Sequence, residues 1–251
     1  MAGPDPHPAG RTHSRWVQLT HGLVALAFLT LVVTGAIILM SHPRLYWGEV
    51  GNDLTPAWLE LPISRNHRHG GWEKPVPFFE QTNSPVSANR KFEIFNQNGW
   101  GRSLHFLGGW LLVVSGTVYL VMGWWSGHFW RNVLPRGEAW NPASIGQDLR
   151  RHFRFEVPSG SGESGYGILQ RWAYSVVVFG LFPWAVGTGL AMSPAITAAF
   201  PVVATVFGGF QTARSVHFLI SLFLILFLVG HLLMVTLSGF WRQVRAITIG
   251  N

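Results

Sequence analysis

The chain has no cysteine. Thiolate-held iron–sulfur clusters, thioether-attached haem, disulfides and catalytic thiols are excluded, which leaves histidine as the obvious metal ligand. Charge is also scarce. Only 12% of the 251 residues are Asp, Glu, Lys or Arg, against 48% hydrophobic, and the mean hydropathy is +0.26. Ordinary soluble domains carry about twice that charged share, so the composition points to a membrane protein. No nucleophile–base arrangement and no phosphate-binding loop is present. The N-terminal stretch lacks an early basic cluster and a small-residue cleavage site, and so reads as a short disordered tail rather than a secretory signal.

What the chain does have is aromatic residues, 13 Trp and 18 Phe, and a formal net charge of +7. The aromatics suit interfacial belts, and the basic residues stand singly in loops and at span ends. Membrane anchoring explains that distribution better than nucleic acid, for which no partner role is expected. Four apolar runs of spanning length are expected as helices, at about 17–40, 103–125, 168–192 and 214–237. Pro183 lies inside the third, where neighbouring helices can satisfy the freed carbonyl. The segment 193–213 is apolar but short and broken by Pro201 and glycines, so it reads as re-entrant or surface rather than a further span. No internal repeat stands out. The expected fold is an all-α integral membrane protein. It is a four-helix transmembrane bundle forming a single domain over 1–251, with a long extracytoplasmic loop 41–101 and a cytoplasmic loop 126–167. The shorter basic segments favour both termini in the cytoplasm, across a bacterial inner membrane. A connection of about 60 residues exceeds what packed helices need, and usually covers a site or docks a partner.

Four of the 11 histidines lie within the spans. His217 and His231 are 14 residues apart on the fourth. Fourteen steps of about 100° bring the second to within roughly 40° of the first, about 21 Å along the axis. Antiparallel threading sets His105, at the start of span two, at the depth of His217, and His21, at the start of span one, at the depth of His231. Two imidazoles facing across a bundle are the axial ligands of a six-coordinate haem b. Two haem b groups are therefore expected, on His105/His217 and His21/His231. Stacked about 20 Å apart, they could pass electrons across the membrane. A lone membrane histidine is more often an interhelical hydrogen bonder, but pairing by depth favours ligation. Zinc would want three or four ligands per site, and no Cys, Asp or Glu lies near these depths.

Arg102 and Arg214 each precede a proposed ligand by three residues on the same helical face, where they could pair with haem propionates or snorkel. Gly35, Gly108, Gly109, Gly116 and Gly230 could leave room for porphyrin faces or for close helix contacts. Arg15, Arg171 and the 126–167 loop could supply donors to a quinone. His13 lies before the apolar run, and His67 and His69 read as solvated loop residues. His7, His42, His128 and His152 look like surface residues. A transporter using the same histidines for protons or metal ions is the alternative.

The His21 span with its VVTG end, RSLHFLGGW, LQRWAYSVVV with GTGLAMSP, and ARSVHF with VGHLLM together resemble the bacterial di-haem cytochrome b membrane subunits. These include cytochrome b561, the nickel–iron hydrogenase cytochrome b subunit and the formate dehydrogenase gamma subunit. The resemblance implies a four-helix bundle with two b haems and quinone exchange at one of them. It also implies an extracytoplasmic redox enzyme or c-type cytochrome as partner, and admits a homo-oligomer within such a complex.

Overall fold

A computed structural model describes residues 14–52, 55–63, 98–153 and 167–248. His7, His13, His67, His69, Arg11 and Arg154 lie outside the described residues. Among the described residues, four helical runs are long and apolar enough to cross a membrane: Arg15–Ser41, Gly99–Trp125, Ile168–Ala191 and Phe210–Leu237. A helix is the form in which an apolar run satisfies its own N–H and C=O groups, which lipid cannot. Leu19, Leu26, Leu29 and Val33 are exposed along the first run, as a lipid-facing stripe requires. The protein is an all-α integral membrane protein, as its sequence predicts.

In chain order the helices are α1 (Arg15–Ser41), α2 (Asn98–Trp125), α3 (Pro142–Phe153), α4 (Ile168–Val176), α5 (Phe182–Ala191), α6 (Pro194–Ala199), α7 (Val202–Val206), α8 (Phe210–Leu237) and α9 (Phe240–Thr248). A π-helical turn, Val177–Leu181, joins α4 to α5 immediately before Pro183. Proline offers no N–H to the preceding turn, and a locally widened turn is one way a helix continues through it. The segment 193–213 forms the short helices α6 and α7 before entering α8, and makes no fifth span.

The chain divides into two compact units. The first comprises α1 up to Leu26, α2 from Val114, the connection through α3 to Ser175, and the chain from Phe227 onward. In it the buried Phe129 ring fills the space above Gly123 and meets Tyr119 edge-on at 5.4 Å. The buried Asp148 carboxylate accepts the Leu169 N–H at 2.9 Å, placing negative charge and an acceptor at the start of α4. Ser175 Oγ donates to the Val133 carbonyl at 3.0 Å, and Trp172 Nε1 to that of Ala139 at 2.9 Å. α9 exposes Phe240 and Trp241 and carries Arg242 and Arg245, a composition suited to the membrane interface. Gln18 Nε2 ties it back by donating to the Ala246 carbonyl at 3.0 Å.

The second unit comprises residues 27–113 and 176–226. Here the start of the long loop is a built cap. β1 (Arg44–Leu45) and β2 (Leu59–Glu60) pair antiparallel, with Arg44 opposite Glu60 and Leu45 opposite Leu59. The cap closes the first turn of α8. Phe210 N–H donates to Glu49 Oε2 at 3.1 Å, and the Gln211 and Thr212 N–H groups donate to the Gly48 carbonyl at 2.9 and 3.1 Å. These are donors that a helix start leaves unsatisfied. Gly209, at φ +101°, makes the turn into α8; a Cβ there would stand 2.7 Å from the Gly48 carbonyl oxygen. Ser215, fully buried, donates to the Tyr46 carbonyl at 2.6 Å and accepts from Trp58 Nε1 at 3.0 Å. Trp47 stacks on Trp58 at 5.2 Å and 18°.

Replacing Ser215 by Ala leaves a buried carbonyl and an indole N–H without their shared partner. Such a loss costs about 1–3 kcal/mol. S215A is expected to lower the thermal midpoint of the detergent-solubilised protein and to speed proteolysis of the 42–61 cap. An unchanged midpoint and cleavage rate would show that the cap is held by other contacts.

Candidate functional site

All four span histidines fall into the two expected pairs. In the first unit His21 on α1 faces His231 on α8, with ring centres 6.5 Å apart. In the second His105 on α2 faces His217 on α8 at 6.3 Å. The spacing is informative. Two imidazoles joined by a direct N–H···N bond of about 2.9 Å would have ring centres about 5 Å apart. Two imidazoles on one metal, each about 2 Å from it, would have them about 6.4 Å apart. Both pairs match the second case. Among the described residues no group of three or more His, Cys, Asp or Glu could hold a metal ion, so a site built on two histidines needs its remaining ligands from a cofactor. A porphyrin supplies four.

Around His105 and His217 the second unit holds a half-open cavity of about 760 Å³. Its apolar walls include Phe106, Trp110 and Phe182, and its polar lining includes Arg44, Arg102 and Arg214. The Arg214 guanidinium donates to the His42 carbonyl and approaches Gln211 Oε1 at 3.5 Å. Arg102 lines the cavity from an exposed position at its margin. Burial lowers the pKa of the His42 imidazole, which also lines the cavity, below its ordinary value. The Arg214 charge lowers it further, and Arg102 and Arg44 add to the effect. Of the glycines picked out in the sequence, Gly35 and Gly109 border the cavity, while Gly108 packs against Leu31 and Thr30 as a close helix contact.

The second unit corrects the expectation that no repeat is present. RSLHF at 102–106 and RSVHF at 214–218 differ in one residue. Each histidine faces a Thr-Gly pair on another helix, Thr34-Gly35 on α1 for His105 and Thr188-Gly189 on α5 for His217. Thr34 Oγ1 lies 2.9 Å from His105 Nδ1, and Thr188 Oγ1 lies 2.9 Å from His217 Nδ1. A Cβ on Gly35 would sit 3.6 Å from His105 Cε1, and one on Gly189 would sit 3.6 Å from His217 Cε1. One two-helix device thus occurs twice. The near-identical pentapeptides could have revealed half of it. The Thr-Gly pairs are too short a signal to find alone.

The His21/His231 pair is built differently. Phe227, one turn before His231, stacks on its ring at 5.8 Å and 18°, and the Tyr174 ring meets it edge-on at 6.3 Å. Gln170 Nε2 donates to Tyr174 Oη at 2.7 Å. Neither aromatic carried a signal beyond its apolar span. Arg15 stands exposed at the first residue of α1. Arg171 donates to the Leu134 and Arg131 carbonyls, both at 3.0 Å, and so holds the connection after α2. His128, expected at the surface, is half-buried: Trp16 meets its ring edge-on at 5.3 Å and Asn132 Nδ2 lies 3.0 Å from its Nδ1.

Four spans and paired histidines inside them define a multi-pass membrane protein of the haem-carrying, electron-transferring class. A family model described as prokaryotic cytochrome b561 matches residues 12–250, and the chain belongs to that family. Haem b is the cofactor that membership implies. The chain is also 27% identical, over 225 residues and 90% of each chain, to an Azospira oryzae protein described as a candidate protein-methionine-sulfoxide reductase subunit, YedZ1. No solved structure matches it.

Arg171→Leu removes two charge-assisted hydrogen bonds, each worth about 1.5–3 kcal/mol. The variant is expected to be cleaved several-fold faster by trypsin at Arg131 and Arg136 than the parent protein. Equal cleavage rates would show that the connection does not depend on Arg171.

Proposed function

We propose that this protein is a di-haem b electron-transfer subunit linking the membrane quinone pool to an extracytoplasmic redox enzyme. The observation that carries the reading is the pair of ring-centre distances, 6.5 and 6.3 Å, repeated on two histidine pairs that share α8. Bound haem supplies one-electron exchange at iron. The chain supplies ligation, orientation and exclusion of water. His105 and His217 would hold one haem, with Arg102 and Arg214 placed to offset the charge of its propionates. His21 and His231 would hold the other, packed by Phe227 and Tyr174.

Both termini and the 126–167 loop are assigned to the cytoplasm, which sets the 42–61 cap on the outer side. There the cap closes the His105/His217 unit and leaves the Trp47–Trp58 stack accessible to a partner. The name of the Azospira relative supports a reductase as that partner. Electrons would then run outward, each quinol giving up two electrons and two protons while the partner consumes the electrons. The quinone site is assigned to the His21/His231 unit, where Arg15 is exposed; the donors of Arg171 are turned to main-chain carbonyls. A porphyrin-bound iron with two histidine ligands keeps no vacant position for substrate, which fits electron relay rather than catalysis at this chain's own side chains.

The test is an optical spectrum of the purified protein, oxidised and then reduced with dithionite, with haem quantified as the pyridine adduct. About two b haems per chain are expected in the parent protein. About one is expected in H105A, H217A, H21A or H231A, and the H105A/H217A double variant is expected to retain the same single haem as either single. A colourless protein from haem-replete cells would overturn the reading in favour of a histidine-using transporter. One haem lost in H105A and both lost in H217A would overturn the pairing.

A further inference from the structure

Resting on the two-haem reading, we infer that Thr34 and Thr188 are positioning residues for the His105/His217 haem. Each hydroxyl fixes the tautomer of its histidine so that Nε2 is presented to iron, and each tunes how strongly that ligand donates.

Thr34 Oγ1 donates to the Thr30 carbonyl one turn back at 2.7 Å, and Thr188 Oγ1 donates to the Trp184 carbonyl at 2.7 Å. Both protons are spent within their own helices, so each hydroxyl can offer only a lone pair to the histidine. The Nδ1 atoms at 2.9 Å must therefore carry the hydrogen and donate it. With Nδ1 protonated, Nε2 holds the free lone pair in each ring. Thr34 and Thr188 are themselves buried at 1% and 0% exposure, and the hydroxyls have no water with which to exchange. A Cβ at Gly35 or Gly189 would stand at ordinary contact distance, 3.6 Å, from Cε1, so it is the hydroxyl that fixes the ring.

An acceptor on Nδ1–H makes an imidazole a more basic ligand. A more basic ligand favours ferric over ferrous iron and lowers the midpoint potential. Thr→Val keeps the shape and removes the lone pair, while Thr→Ser keeps the hydroxyl. The experiment is a redox titration of the full-length, haem-loaded protein, followed at the reduced α band, for T34V, T188V, T34S and T188S. Each Val variant is expected to shift the midpoint of one haem to a more positive potential and to leave the other haem at its parent value. The two shifts should add in the double variant, and both Ser variants should titrate like the parent. Loss of one haem in a Val variant, with both retained in the matching Ser variant, would carry the same conclusion. Unshifted midpoints in T34V/T188V would overturn the inference while leaving the two-haem reading intact, as would Ser and Val variants behaving alike. Loss of both haems in a Val variant would mark the hydroxyl as a folding requirement and also overturn it. A parent protein without haem would overturn the two-haem reading, and this inference with it.

Discussion

The structure depends on the cost of leaving an imidazole in hydrocarbon without defined partners. Each ring nitrogen is a donor or an acceptor, and an unsatisfied one costs several times a typical net hydrogen bond. This protein resolves the problem by division of labour in its second unit. One nitrogen of each histidine meets a threonine hydroxyl at 2.9 Å, and the two ring centres stand 6.3 Å apart, the spacing that two imidazoles on one metal would have. Neither nitrogen is then wasted. A pair built only to hold helices together would close to direct hydrogen-bond distance, about 1.4 Å nearer than either pair stands.

The two units solve the same problem with different materials. In the second, the seat of each ring is polar and repeated: a Thr-Gly pair, a buried hydroxyl, and an arginine three residues before the histidine. In the first, His231 is held by ring contacts, with Phe227 flat against it and Tyr174 at its edge. Surrounding polarity and hydrogen bonding are among the levers by which a protein tunes a haem. The two histidine pairs therefore stand in unlike environments, one polar and one aromatic.

Much of this was legible in the sequence. Apolar runs of spanning length can hardly do anything but form helices, and a histidine inside one stands out because almost nothing else polar does. Depth matching then needs only chain direction, so His21, His105, His217 and His231 could be paired before any coordinate was known. The rest was hidden for physical reasons. Thr34 and Thr188 look like ordinary helix threonines, because a hydroxyl bonded to its own i−4 carbonyl is common and leaves no trace in periodicity. Tyr174 and Phe227 are apolar enough to pass as lipid-facing. Among its described residues the 42–61 cap has almost no regular strand, only two pairs of residues, and it is tied down by the side chains of Glu49, Trp58 and Ser215 reaching elements more than 150 positions away. The internal repeat was missed because its two halves are of unequal visibility, a pentapeptide and a dipeptide, separated by different lengths of chain.

The choice of threonine over a carboxylate follows from the solvent. Histidine ligands in soluble metal sites commonly donate their second N–H to an Asp or Glu, which orients the ring and raises its basicity. Inside a bilayer a central acidic residue costs about 2.5–3.5 kcal/mol on insertion scales, and an exposed backbone carbonyl is rarely free because its own helix uses it. A threonine whose proton is already given to the helix avoids both problems. It inserts at little cost, brings no unsatisfied hydrogen, and presents a fixed lone pair across the helix interface. Its β-branching restricts χ1, so the oxygen is aimed rather than mobile. The threonine hydroxyl is thus a neutral substitute for the carboxylate of an aqueous site, and its occurrence opposite both members of one histidine pair is what the low dielectric of the membrane would select.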